Sequence, residues 1–298
     1  MAETAKADGA RPGPSRLGDG EVRRAGAAPL ALACLLSPRL AAALGRYLST
    51  VLRFFFLSQW GSRLAPRSMP PRRVDHPLDG LVPFEPARSG TYLHFVRLWI
   101  TALSYARREL GPGSAAACAA FLDGLSACYR EAYSVYRRRV STTSRPTVAA
   151  NAELRLVYLV DPHLYCVPSL HVMIVCHVFT AFERMFREAG RAEAAAAPRL
   201  ELYRRAVAIT DSVLYVKQHS VNCVPAALYY SSRLMPEFGR PEARAFLSDL
   251  LADLPSGADR RAILDYMGGL YERLMDEGEA EGAERWRPVL RFLDSYRA

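Results

Sequence analysis

Lysine is nearly missing from this sequence: Lys6 and Lys217 are its only examples, so the basic surplus rests on arginine. With 39 lysines and arginines against 30 acidic residues, the formal charge is +9. That balance suits nucleic acid, an anionic membrane surface or a phosphorylated substrate. The arginines are scattered, and neither zinc-finger spacing nor a recognition-helix pattern occurs, which disfavours nucleic acid. Paired cysteines are missing too. Cys34, Cys118, Cys128, Cys166, Cys176 and Cys223 stand singly in apolar stretches with no C-x-x-C pair. This argues against a disulfide framework and predicts reduced core thiols in an intracellular protein. Cys166, His171, Cys176 and His177 lie near one another but match no standard zinc spacing, so neither metal nor cofactor is expected.

Long apolar runs are also lacking. Nowhere do about 18 apolar residues follow one another without a charge, so no clear transmembrane helix is expected. Residues 1–27 are rich in Gly, Ala, Pro and Arg and lack the ordered zones of a secretory signal; they read as a disordered tail. A cytoplasmic or peripherally membrane-associated protein follows, with Phe54-Phe55-Phe56 beside Arg53 and Arg63 as the candidate for membrane contact.

Valine and isoleucine are sparse, while alanine, leucine and arginine dominate, which favours helices over strands. Apolar residues at helical spacing run from Leu30 to Trp60, from Thr91 to Leu110 and from Ser114 to about Val140. Prolines crowd residues 61–90, predicting an irregular connection. Leu154–Val160 alternates weakly and reads as a short strand or extended segment. Pro168 and Ser169 open a helix to about Arg187 that is apolar nearly all round and belongs at the centre of a bundle. Gly190–Pro198 reads as a surface connection, followed by helices over Glu201–Gln218 and Cys223–Leu234. Ser256 and Asp259 resemble a capping box, with Ile263, Tyr266, Met267, Leu270 and Leu274 on one face behind it. The expectation is a single all-α domain over 28–298, a helical bundle with its site in a core at 138–223 and extra C-terminal helices over 240–298.

The chemistry concentrates between Arg138 and Cys223. Ser169 stands at the first turn of a buried helix, where its hydroxyl, free amides and the helix dipole together form an anion site. His171 shares that turn, within reach of a phosphoryl group or its leaving oxygen. The plainer alternative is a helix cap followed by a core histidine. His219 ends a neighbouring apolar helix, with Ser212 on the same face. A second histidine there supplies a nucleophile while the first protonates the departing oxygen. Arg138 and Arg145 are candidate phosphate donors because guanidinium binds phosphate bidentately, and Lys217 adds a point charge. Two histidines and two arginines make a metal-independent site.

These segments resemble, in order, the three motifs of the type 2 phosphatidic acid phosphatase and vanadium haloperoxidase superfamily. Arg138, six residues, then Arg145-Pro146 is similar to the first motif. Pro168-Ser169-Leu170-His171 resembles the second, in its leucine-bearing branch. The segment from Ser212 to Lys217-Gln218-His219 resembles the third. The resemblance implies a phosphohistidine on His219, His171 as general acid, and Arg138, Arg145, Ser169 and Ser212 holding phosphate. The implied activity is hydrolysis or transfer of a phosphate monoester, lipid-like or small. Three positions depart from the pattern. Arg138 replaces lysine, Val213 replaces an arginine of the clamp, and Cys223 stands where the family has the aspartate that orients the nucleophile. A neutral thiol accepts hydrogen bonds poorly, which opens a second reading: a degenerate, catalytically weak protein that binds phosphate or lipid phosphate. A haloperoxidase is a third reading, weakened by the loss of that arginine. Most family members are embedded in membranes by six spanning helices, and this chain departs there as well.

Overall fold

A computed structural model of the chain describes residues 20–65, 70–147, 149–282 and 284–297. The architecture is helical. The helices are α1 (Glu21–Arg24), α2 (Ala28–Leu36), α3 (Pro38–Val51), α4 (Ser58–Leu64), α5 (Ser89–Leu110), α6 (Ala115–Tyr136) and α7 (Ala152–Val160). They continue with α8 (Leu170–Glu188), α9 (Ala192–Tyr215), α10 (Cys223–Leu234), α11 (Arg240–Asp249), α12 (Gly257–Glu281) and α13 (Trp286–Ser295). The described strands are a parallel pair of two residues each, β1 (Arg72–Arg73) and β2 (Ser141–Thr142).

Helix α8 is the hub, as its all-round apolar pattern predicts. Every residue from Val172 to Phe182 is buried, and the helix packs against α5, α6, α9 and α10. His177, inside that run, donates through Nε2–H to the Phe121 carbonyl of α6 at 2.9 Å. The absence of a side chain at Gly124 makes room for its ring. The C-terminal helices keep the expected face: Ser256 caps α12 by accepting the Asp259 amide at 3.1 Å, and Ile263, Met267, Leu270 and Leu274 are buried.

Several local readings change. The tail expected over 1–27 is ordered from residue 20, while residues 1–19 lie outside the described part. Val22 is buried, and Glu201 of α9 accepts the Val22 and Arg23 amides at 3.1 and 2.8 Å, supplying partners for the start of α1. The segment expected as a strand over 154–160 is helix α7. Asn151 caps it by accepting the Leu154 amide at 2.9 Å, and Leu154 and Val157, three apart, are its buried residues. The connection expected at 190–198 is the first part of α9, because the alanine run carries the helix through Pro198. The helix expected over Leu30–Trp60 breaks at Ser37-Pro38. It then resumes as α3, a π-helical segment (Leu52–Leu57) and α4. Among the described residues Pro38–Leu64 is the one stretch long and apolar enough to cross a membrane.

Candidate active site

The chain between β2 and α8 sets the floor of the site. Ser141 binds this segment three times: its amide donates to the Leu164 carbonyl at 3.1 Å, its carbonyl accepts the Cys166 amide at 3.3 Å, and its hydroxyl accepts the Val167 amide at 2.9 Å. Residues 164–167 are thereby fixed beside β2, after a bend at His163, where φ is 61°, and the carbonyl of Cys166 is aimed inward.

His219 arrives from the opposite side through the turn that ends α9. Lys217 adopts a left-handed conformation, φ 56°, and the Gln218 and His219 amides both reach back to the Val213 carbonyl at 3.1 Å. Such a reversal satisfies the last carbonyls of a helix. The turn is held from outside. Lys217 Nζ donates to the carbonyls of Asp79 and Val82, and the Asp79 carboxylate accepts the Val221 amide at 2.8 Å. His219 then places Nδ1 at 3.1 Å from the Cys166 carbonyl. A carbonyl only accepts, so Nδ1 carries the proton and Nε2 keeps its lone pair.

His171 faces His219, the ring centroids 5.8 Å apart and steeply inclined. Tyr92 and Phe95 of α5 press on the His171 ring, each with its centroid at 4.3 Å. Burial pulls both imidazoles below their ordinary pKa, His219 to about 4 despite its bond to the Cys166 carbonyl, and His171 further, with His219 adding to the effect. Both rings are neutral near pH 7. Among the described residues, Nε2 of His171 and Oγ of Ser169 are buried without a hydrogen-bond partner. Two unsatisfied polar atoms beside one site are costly unless a ligand or water meets them.

A narrow cavity of about 20 Å³ is lined by both imidazoles, with room for about one water. Its walls include His171, His219, Gln218, His163, Asp161 and Gln59. Arg145 stands at its border, with Nη1 at 3.4 Å from Gln218 Oε1 and the guanidinium stacked 4.1 Å from the Tyr158 ring.

The remaining expected residues lie elsewhere. Arg138 follows α6, where its guanidinium sits 3.8 Å from the Trp286 ring and donates to the Ser134 carbonyl at 2.6 Å. It is an element of the C-terminal interface, not of the cavity. Ser212 is turned onto its own helix and donates to the Ile209 carbonyl at 2.6 Å. The ammonium of Lys217 is occupied by two backbone carbonyls. Cys223 opens α10; its sulfur accepts the Ser220 amide at 3.4 Å, and burial pushes its thiol well above the ordinary value, so it stays neutral. The Cys166 carbonyl therefore takes the orienting position at His219 that the resemblance assigns to an aspartate.

Three further residues line the cavity. Asp161 accepts the His163 amide at 2.8 Å, and burial raises its carboxyl. His163 bonds Thr143 Oγ1 through Nε2 at 2.8 Å, and burial lowers it to about 3. Gln59 comes from α4, accepting the Leu164 amide at 2.9 Å, with its own Nε2 buried and unpartnered among the described residues. A lone amide in the apolar stretch Phe54–Trp60 was the available signal for it. No cluster of three or more His, Cys, Asp or Glu among the described residues is arranged to hold a metal ion. Compared with known proteins, the chain matches no family model, no curated protein and no solved structure.

Proposed function

We propose that the protein is a metal-independent phosphatase or phosphotransferase acting on phosphate monoesters through a phosphohistidine on His219, a divergent relative of the type 2 phosphatidic acid phosphatases. The observation that carries this reading is the pairing of His219 and His171 in one cavity, with Nε2 of His219 unbonded among the described residues and Arg145 at the rim.

Nε2 of the neutral His219 attacks phosphorus, and the P–O ester bond breaks. The departing oxygen takes a proton from His171. In the next half-reaction water attacks phosphorus, a new P–O bond forms as the P–N bond breaks, His171 accepts the proton of that water, and His219 recovers its lone pair. The depressed pKa of His171 leaves it without a proton in the free protein. A phosphate monoanion brings both the proton and the negative charge that keeps it on the ring. Arg145, the Ser169 hydroxyl and the positive end of α8 are the groups for the equatorial oxygens. The Cys166 carbonyl holds the tautomer of His219 but carries no charge to stabilise the imidazolium. Loss of the carboxylate from a comparable triad lowers turnover by about 10⁴.

That same carbonyl favours a second reading, a phosphate-binding protein with little turnover. The assay is phosphate release from p-nitrophenyl phosphate and a short-chain phosphatidic acid in chelator, for wild type and His219→Ala. Release that vanishes in the variant supports the enzyme. Orthovanadate binding without release supports the binding protein. Release that survives His219→Ala refutes the role of this histidine.

A further inference from the structure

We propose that the outer face of α3, the π-helical segment and α4 is a docking surface for an anionic lipid bilayer, and that docking draws α4 off the histidine cavity. The surface stands on exposure and charge alone. The coupling rests on the phosphate-site reading above.

Leu48, Leu52, Phe56, Trp60 and Leu64 recur every fourth residue along this stretch, all exposed, with Leu57 beside them. Leu64 is 78% exposed and Leu57 61%. The patch continues onto α7, where Leu156, Leu159 and Val160 are exposed and the Val160 carbonyl accepts the Trp60 indole N–H at 3.3 Å. A contiguous apolar face of this kind marks an interaction surface.

Charge identifies the occupant. No acidic residue occurs between Glu21 and Asp75, whereas Arg39, Arg53 and Arg63 lie exposed along the same stretch. Arg53 and Arg63 rest near the Phe54 and Trp60 rings, 5.4 and 5.6 Å from their centroids. The acidic side chains nearby are Asp123 of α6, ion-paired with Arg46, and Glu153 at the start of α7. Arginine therefore prevails along α3 to α4, and such an apolar face complements anionic headgroups over acyl chains. A second copy of the chain would bring arginine against arginine. The stretch lies along a surface instead of crossing one, because the other face of α3, with Leu40, Ala43, Tyr47 and Thr50, is buried on α6.

The link to the cavity is α4 itself. Its inner side supplies Gln59, and Phe55 from the π-helical segment lines the same wall. A cavity with room for about one water does not take a phosphoryl group. Polar contacts that hold α4 on the body include Gln59 with the Leu164 amide, Ser62 with the Tyr165 hydroxyl at 3.1 Å, and the Trp60 indole bond. A π-helical turn directly before it is a common place for a functional bend.

The test uses the full chain, with vesicles of phosphatidylcholine alone or with phosphatidylglycerol, comparing wild type with L57S/L64S. Both leucines are exposed, so circular dichroism should match. Flotation should show at least about tenfold more wild type on anionic vesicles than on neutral ones, and at least about tenfold less of the variant. Equal binding to neutral vesicles, no binding, or equal binding by the variant overturns the docking surface, as does apolar self-association that removes the patch. For the coupling, amide exchange at Leu164 should speed up about tenfold when vesicles bind, because its acceptor on Gln59 leaves. Unchanged exchange on bound protein overturns it. Hydrolysis of p-nitrophenyl phosphate should rise with anionic vesicles in wild type alone. If no phosphate is released under any condition while flotation and exchange respond as expected, the phosphatase reading fails and the bilayer surface with its moving α4 stands.

Discussion

Replacing Cys223 by aspartate separates the geometry of this chain from the pattern it resembles. By the motif, Cys223→Asp restores the acid that orients the nucleophile. By the structure, the Nδ1 proton of His219 is already committed to the Cys166 carbonyl, and the side chain at 223 turns to the Ser220 amide. The new carboxyl would meet the burial that already holds the native thiol neutral. Buried carboxyls rise by up to about 3–5 pKa units at about 1.4 kcal/mol each, and protonation caps that cost near 4 kcal/mol at pH 7. A bond from the Ser220 amide to the charged form returns roughly 1.5–3 kcal/mol. The expected net loss is thus roughly 1–3 kcal/mol. A carboxyl raised in the folded state binds more protons there than in the unfolded chain, so the loss grows as pH rises from about 5 to 8. Urea denaturation at both pH values reads the stability, and phosphate release reads the turnover. A variant as stable as wild type whose release rises tenfold or more would refute the reasoning, because it would mean that His219 turns to residue 223.

Gly124→Ala should destabilise despite the better helix propensity of alanine. Its Cβ would lie 2.7 Å from His177 Nε2, and overpacking of about 1–3 kcal/mol outweighs a gain of about 1 kcal/mol; urea midpoints that rise instead would contradict the core role of His177. Arg145→Gln should weaken orthovanadate binding at least about tenfold. Arg138→Gln should leave that binding unchanged while lowering stability by about 0.5–2 kcal/mol through the lost Trp286 contact; the reverse ranking would return Arg138 to the site. Burial raises the Asp211 carboxyl to about 7, and it accepts the Leu251 amide at 2.8 Å. Stability lost to its ionisation grows as pH rises through about 4–7, so Asp211→Asn should gain roughly 2–3 kcal/mol more over wild type at pH 8 than at pH 5. A pH-independent difference in melting would count against it.

What the sequence made legible was local. The apolar circumference of α8 located the centre of the bundle, and Ser256 located the start of α12. Arg138 was drawn toward the site by spacing alone, yet the ring that holds it, Trp286, comes from a helix far along the chain. Lys217 read as a free charge because the carbonyls of Asp79 and Val82 that occupy it lie in the proline-rich connection. The role of the Cys166 carbonyl belongs to no side chain and depends on the pairing of Ser141 with residues 164–167, so no motif shows it. Asn151, by contrast, was a readable cap that turns an apparent strand into α7.

The central claim is that His219 takes up the phosphoryl group. Rapid quenching of the protein with a phosphate monoester, under basic conditions that preserve phosphohistidine, followed by mass spectrometry of the peptides, tests it most directly. The account predicts one added phosphoryl group on His219, absent from His219→Ala and accumulating in His171→Ala when a substrate with a good leaving group is used. Phosphate release with no phosphoryl group on His219, or with the group on another residue, would contradict it.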